Sequence, residues 1–159
     1  MEFRELIEKF AERCGIEAPE SKDGAVVFEI DDMPVGFVHD SAGDAVMVVA
    51  EIGERNPDAD EACSSALLKA NYLFAGTGGA TLCRNPETGA FAIMRSCPLA
   101  SVDGDAFASA VNDLLTTAEK WKAVVEGMGE AQVAHDDQVE EEREILQSGP
   151  GGAGGFMRV

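Results

Sequence analysis

Apolar and polar residues follow two repeating patterns along this chain, one typical of helices and one typical of strands. The helical spacing covers residues 3–14, and Gly15 is expected to end that helix because glycine readily adopts a left-handed conformation. β-rich apolar runs follow at residues 25–30, 35–39 and 45–52, and the turn-forming residues between them predict an antiparallel meander. The third run is apolar on both faces, which predicts a central strand or an interface strand. The stripe of the first helix consists of Phe3, Leu6, Ile7, Phe10 and Cys14.

A second helix and a hairpin follow the meander. Either Asp58 or Asp60 is expected to cap a helix that ends at about Phe74, where a glycine-rich stretch begins. Two short strands at residues 80–84 and 90–95 are joined by a loop with Pro and Gly at turn positions. These elements extend the chain pattern to α-β-β-β-α-β-β.

The last regular element is a third helix, which Asp103 is expected to cap and which is expected to end at about Val125. The complete order, α-β-β-β-α-β-β-α, predicts an α+β fold with a twisted antiparallel sheet and three helices. The apolar seam of the third helix consists of Phe107, Val111, Leu114, Ala118, Trp121 and Val125.

Composition changes after Gly127, which predicts a domain of residues 1–127 and a tail of residues 128–159. The tail is expected to be acidic and partly disordered, with residues 130–147 forming either a marginal helix or a disordered stretch. It contains a Gly-rich linker, and its last apolar residues are expected to dock in an apolar groove of the same or a neighbouring molecule and to compete with a binding partner for that groove. These docking residues are Phe156, Met157 and Val159.

The net charge of −18 argues against two classes of binding partner. It opposes binding to the phosphate backbone of nucleic acid, which requires a basic face, and binding to anionic lipid. Residues 128–159 contribute only −5, so −13 belongs to residues 1–127. The charge therefore surrounds the folded domain and is interpreted as a solubility device.

The sequence offers no recognisable catalytic or metal-binding pattern. The cysteines Cys14, Cys63, Cys83 and Cys97 contain no C-x-x-C pair, and they are interpreted as buried residues of a protein in the reducing cytoplasm. The start of the chain resembles no secretory signal. We therefore predict a cytoplasmic protein that is not an enzyme and that has no catalytic residues, metal or cofactor.

The strands carry more apolar surface than three helices can readily cover. An uncovered sheet face would be an exposed apolar patch, which in soluble proteins marks a binding site. A free sheet edge would also pair with an extended peptide. A second subunit covering that face is a compatible alternative.

Residues 67–99 resemble the signature region of the Tir chaperone (CesT) family, the class I type III secretion chaperones. A helix ends in Leu-Leu, Asn and Leu-Phe, a Thr-Gly-Gly-Ala stretch enters a strand, and a Pro-x-Thr-Gly hairpin and a Pro-Leu exit follow. Cys83 and Cys97 depart from the expected small residue and leucine. The matching residues are Leu67, Leu68, Asn71, Leu73, Phe74, Thr77, Gly78, Gly79, Ala80, Pro86, Thr88, Gly89, Pro98 and Leu99.

The resemblance implies an ATP-independent homodimer that holds the N-terminal segment of a secreted effector extended, soluble and competent for export. The export apparatus is a further partner on this interpretation, whereas nucleic acid and membranes are not. The implied dimer-interface residues are Leu67, Asn71, Phe74 and Leu82. The implied effector-binding residues are Phe28, Ile30, Val35, Phe37 and Val48.

Two alternative functions stay open from the sequence. The first is a regulatory or scaffold protein of the same fold, such as the YbjN-like proteins, without a secretion client. The second is a small cysteine-dependent enzyme using Cys83 or Cys97.

Overall fold

A computed structural model describes the backbone of residues 2–147, and the side chains in that range except those of residues 132–136, 139, 142 and 145–147. The expected docking residues Phe156, Met157 and Val159 lie outside the described residues. The predicted α+β order is confirmed. In chain order the elements are α1 (Phe3–Cys14), β1 (Ala25–Ile30), β2 (Met33–Asp40), β3 (Ala45–Gly53), α2 (Asp60–Asn71), a short 3₁₀ helix (Tyr72–Phe74), β4 (Thr81–Arg84), β5 (Phe91–Pro98) and α3 (Gly104–Gln147).

The five strands form one antiparallel sheet in the order β1-β2-β3-β5-β4. β3 is therefore the central strand, as its two apolar faces predicted. β5 pairs with β3 on one side and with β4 on the other, so the hairpin partner β4 is placed at the edge. The second edge is β1.

The turn between β1 and β2 consists of two residues, Asp31 and Asp32, both in the left-handed region with φ values of 50° and 61°. The sequence predicted a longer turn, because Pro34 is turn-forming. In the structure Met33 pairs with Ile30 and Pro34 pairs with Glu29. A two-residue turn with two positive φ values has the twist that antiparallel strands require, which explains why the strand resumes so early.

The core lies between one face of the sheet and the helices. Phe10 of α1, Phe28 of β1, Phe37 of β2 and Phe107 of α3 form an aromatic cluster with ring centroids 5.1 to 5.6 Å apart. All five of these pairs are edge-to-face or tilted, which suits the ring quadrupoles. The cluster fixes α1 and α3 on the same sheet face.

The N-terminal cap predicted for α2 is wrong. Ala59 precedes the helix, and no side chain caps it. The Asp60 carboxylate instead accepts a hydrogen bond from Arg84 Nη1 of β4 at 3.0 Å. Asp60, one of the two predicted caps, thus binds β4 and does not cap α2.

The start of α3 agrees with the prediction, but its end does not. Asp103 caps the helix, because its Oδ1 accepts the Ala106 N–H at 2.8 Å. The helix continues past the expected end at Val125 to Gln147. Residues 126–147 include six Glu and three Gln, which favour helices, and a helix already fixed by packing extends without a new nucleation cost.

Candidate functional site

Four of the five residues expected to bind an effector lie in the core. Phe28, Val35, Phe37 and Val48 are buried on the sheet face that α1 and α3 cover, and Ile30 is half-buried. A peptide could not contact the four buried side chains without displacing a helix. The assignment of these four side chains as direct contacts is therefore corrected: they lie on the covered face of β1, β2 and β3.

The opposite face of the sheet carries the neighbouring apolar residues of the same strands. Val27 of β1 keeps 61% of its surface exposed and Val38 of β2 keeps 40%. Val27 is followed across the sheet by Gly36, then by Val49, then by Met94. The helices bury their apolar residues against the other face, so this side stays accessible in the described part of the chain. We call it the open face, and it consists of Val27, Val38, Met47, Val49 and Met94.

The edge of the sheet at β1 adjoins the open face. Ala25 uses both backbone groups to bond Lys22, outside the sheet. Because ladder bonds alternate along an antiparallel strand, the backbone groups of Val27 and Glu29 face the same way as those of Ala25, toward the free edge. A row of such groups is a template for a further strand.

A groove of about 560 Å³ lies beside this edge, between α1 and the segment that leads into β1. Its apolar lining comes from both elements, with Arg4, Glu8 and Glu20 as its charged residues. An apolar groove next to free backbone groups is the arrangement used when an extended peptide joins a sheet. The apolar lining residues are Phe3, Ile7, Ala18, Pro19 and Val26.

The residues expected at a dimer interface come together where α2 meets β4. Leu67 and Leu82 are buried there within the chain's own core. The Asn71 Nδ2 donates to the Leu82 carbonyl at 2.9 Å, and the Leu82 N–H donates to Asn71 Oδ1 at 2.8 Å. These three residues thus attach α2 to the edge strand, and of the four only Phe74 is exposed. The direct-contact assignment of Leu67 and Leu82 is corrected accordingly.

Three further large exposed residues lie close to Phe74 in the sequence, and the sequence-based interface assignment did not include them. Leu73 and Phe74 have positive φ values of 53° and 55°, a conformation that costs an L-residue about 1–2 kcal/mol. Backbone strain of this kind is often found at functional sites, and here it lies in an apolar turn that faces solvent. We call this surface the α2 patch, and it consists of Leu68, Tyr72, Leu73 and Phe74.

The titratable side chains show no activated nucleophile among the cysteines with resolved shifts. Burial raises the pKa of the thiols of Cys63, Cys83 and Cys97, which opposes formation of the reactive thiolate. Within the described residues, no three His, Cys, Asp or Glu side chains are grouped as a metal site would require. No helix in residues 2–147 is both long enough and apolar enough to cross a membrane.

Comparison with known proteins identifies the family. The sequence profile of the Tir chaperone protein (CesT) family matches residues 5–122. The chain belongs to the CesT family. No curated protein matches its sequence.

Solved structures share the fold at low identity. A chain of the ExsC–ExsE complex matches with a TM-score of 0.67 and 17% identity, over 79% of this chain and 97% of that one. A chain of the heterodimeric ExoU–SpcU complex from the type III secretion system of Pseudomonas aeruginosa matches with a TM-score of 0.59 and 15% identity, over 77% and 96%. A chain of the complex between the Yersinia pestis type III secretion chaperone SycH and a stable fragment of YscM2 matches with a TM-score of 0.58 and 16% identity, over 74% of this chain and 97% of that one.

The signature residues of this CesT-family chain have structural roles. Asn71 attaches α2 to β4, as described above. Gly78 and Gly79 adopt φ values of 59° and 91° at the entry to β4, a region that favours glycine. Thr77 is fully buried, and its Oγ1 has no hydrogen-bond partner among the described residues. The resemblance to the family is confirmed, and its motif supports the α2–β4 junction.

Proposed function

We propose that this CesT-family protein binds the extended N-terminal segment of a secreted effector and keeps it soluble and competent for export. The open face carries the proposal, because it leaves apolar strand residues in solvent beside a free sheet edge. The proposed action needs no ATP, cofactor or catalytic residue. We place the protein in the cytoplasm, where it would meet its client and then the export apparatus.

The binding mode follows from the two surfaces that meet at β1. A client strand pairs with the backbone groups of Val27 and Glu29, and its apolar side chains reach the groove beside α1 or the open face. Each apolar side chain removed from water contributes about 1.5–3 kcal/mol. A few anchors and the backbone pairing together offset the cost of ordering the client.

The α2 patch is the proposed dimer interface. Its side chains are large and exposed, and Leu73 reaches 79% exposure. A second copy of the patch would cover it in an isologous contact, in which the same residues lie on both sides. This keeps the dimer at the β4 edge and leaves the β1 edge of each subunit available for the client.

The test uses two valines with the same exposure. Val38 lies on the open face and Val124 lies on α3, and each is 40% exposed. The chaperone is copurified with the first roughly 50–100 residues of a secreted protein, a length that provides a standard interface. Val38→Asp should lower the affinity for this segment at least tenfold, whereas Val124→Asp should leave it unchanged.

Equal affinity for both variants would refute the assignment of the open face. The variant Phe37→Asp is no substitute, since it buries a charge in the aromatic cluster and would unfold the domain. A protein that binds no secreted segment but copurifies with a cytoplasmic regulator would support the scaffold alternative. Solution mass tests the dimer: the wild type should have twice the monomer mass, and Leu73→Asp should halve it.

A further inference from the structure

A second groove follows the part of α3 that lies beyond the family match. Its volume is about 680 Å³, and it lies between α3 and the elements at the end of β3. Cys63 of α2, Phe91 of β5 and Val125 of α3 form its apolar floor. α3 approaches closely here, because a Cβ on Gly53 would lie 2.6 Å from Val125 Cγ1.

The rim of this groove is acidic. Glu54 follows β3, and three further carboxylates lie on α3 at Glu126, Glu130 and Asp137. None of the described lining residues is Lys or Arg. An apolar floor with a carboxylate rim suits a short apolar segment that carries a basic side chain.

We propose that this groove is a peptide-binding site and that residues 156–159 of the same chain are its occupant in the free protein. Phe156, Met157 and Val159 supply apolar side chains, and Arg158 supplies the basic one. Of the residues after Gly127, only Arg143 and Arg158 are basic. The groove lies on the helix-covered side of the sheet, so this site is separate from the proposed client site.

The spacing along the chain fits this occupant. α3 ends at Gln147, ten residues beyond Asp137, which corresponds to about 15 Å along the helix. Residues 148–155 contain five glycines among eight residues, and a flexible linker of that length and composition would span about 16 Å on average. Intramolecular binding is strongest when the average span of a linker matches the distance that it must cover.

Hydrogen exchange on the full-length protein tests the proposal. The double variant Phe156→Ser, Met157→Ser should increase amide exchange in residues 126–138 at least threefold. A control with Gly151→Ser and Gly152→Ser keeps the apolar residues and should exchange as the wild type does. Equal exchange in the apolar double variant and the wild type would overturn the proposal.

Charge reversal gives an independent test. Glu130→Lys and Arg158→Glu should each increase amide exchange in residues 126–138. The variant that combines the two substitutions should return this exchange to the wild-type rate. Glu130→Lys would also add a favourable i,i+4 pair with Glu126 on the helix, so faster exchange in this variant cannot come from a weaker helix. Arg158→Glu combined with Glu144→Lys, outside the described groove lining, should restore nothing.

Two results would contradict this occupant. A combined variant Glu130→Lys, Arg158→Glu that exchanges as fast as either single variant would remove the proposed contact. Protection that rises with protein concentration would assign the groove to a second copy instead of the same chain. Neither measurement requires a client, so failure here is distinct from failure of the proposed function.

Discussion

Replacing Asn71 by Ala removes the side chain that attaches α2 to β4. The amide makes two hydrogen bonds to the backbone of Leu82, at 2.9 and 2.8 Å, in a partly buried position. Each bond contributes about 1 kcal/mol net, and each backbone group left without a partner adds about 1–3 kcal/mol when buried. With partial access to water, the free energy of unfolding should fall by about 2–4 kcal/mol.

A decrease of this size is large for a domain whose total free energy of unfolding is typically about 5–15 kcal/mol. The decrease is measured by urea unfolding monitored by circular dichroism. Asn112→Ala is the matched control, because Asn112 is exposed on α3 and a surface change of this kind costs less than about 0.5 kcal/mol. A loss below about 1 kcal/mol at Asn71 would refute the hydrogen-bond reasoning. A loss that depends on protein concentration would show that Asn71 acts through association.

Three further changes have defined outcomes. Asp32→Gly should raise the free energy of unfolding, measured in urea, by up to about 1 kcal/mol, because φ is 61° at this position and glycine avoids the Cβ penalty. An unchanged free energy of unfolding would contradict the turn geometry. Thr77→Val should stabilise the protein by about 1 kcal/mol, because it replaces a buried hydroxyl without a described partner by a methyl group, whereas Thr77→Ala should destabilise it. Asp60 has a lowered pKa, mainly through its hydrogen bond from Arg84. The ionised carboxylate therefore stabilises the folded protein fully at pH values above the pKa of an unfolded Asp, and this stabilisation is lost as pH falls through the lower pKa of the folded state. The difference in melting temperature between wild type and Asp60→Asn should accordingly shrink below about pH 4.

The elements were predictable because each one carries a strong local signal. The helical stripe ending at Gly15, the alternating runs of the meander and the cap at Asp103 depend on neighbours in sequence. The central position of β3 followed from its two apolar faces. These features need no knowledge of how distant segments pack.

Which face of the sheet stays open was not predictable from the sequence. Val27 and Phe28 are both apolar, as are Phe37 and Val38, so the alternation does not reveal which set the helices cover. That choice is made by the aromatic cluster, in which Phe10 and Phe107 select Phe28 and Phe37. The larger aromatic side chains go inward and the valines stay in solvent.

Leu68, Tyr72 and Leu73 of the α2 patch, and the continuity of α3 past Val125, escaped prediction for other reasons. Leu73 and Phe74 continue a helical pattern in the sequence, but their left-handed backbone turns them outward. Gly127 and Gly129 favour a helix end by propensity, yet the packed helix continues through them. In both places tertiary packing outweighs the local preference.

The sheet order also determines when the surfaces of this protein can form. β5 separates β4 from β3, so the central β3–β5 pair closes a loop of residues 54–90. Closing such a loop costs entropy that only the completed pairing offsets. During synthesis β4 therefore has no place in the sheet until β5 has emerged. Because Asn71 attaches α2 to Leu82 of β4, we expect the proposed dimer interface at the α2 patch to form only after each chain has built its own sheet.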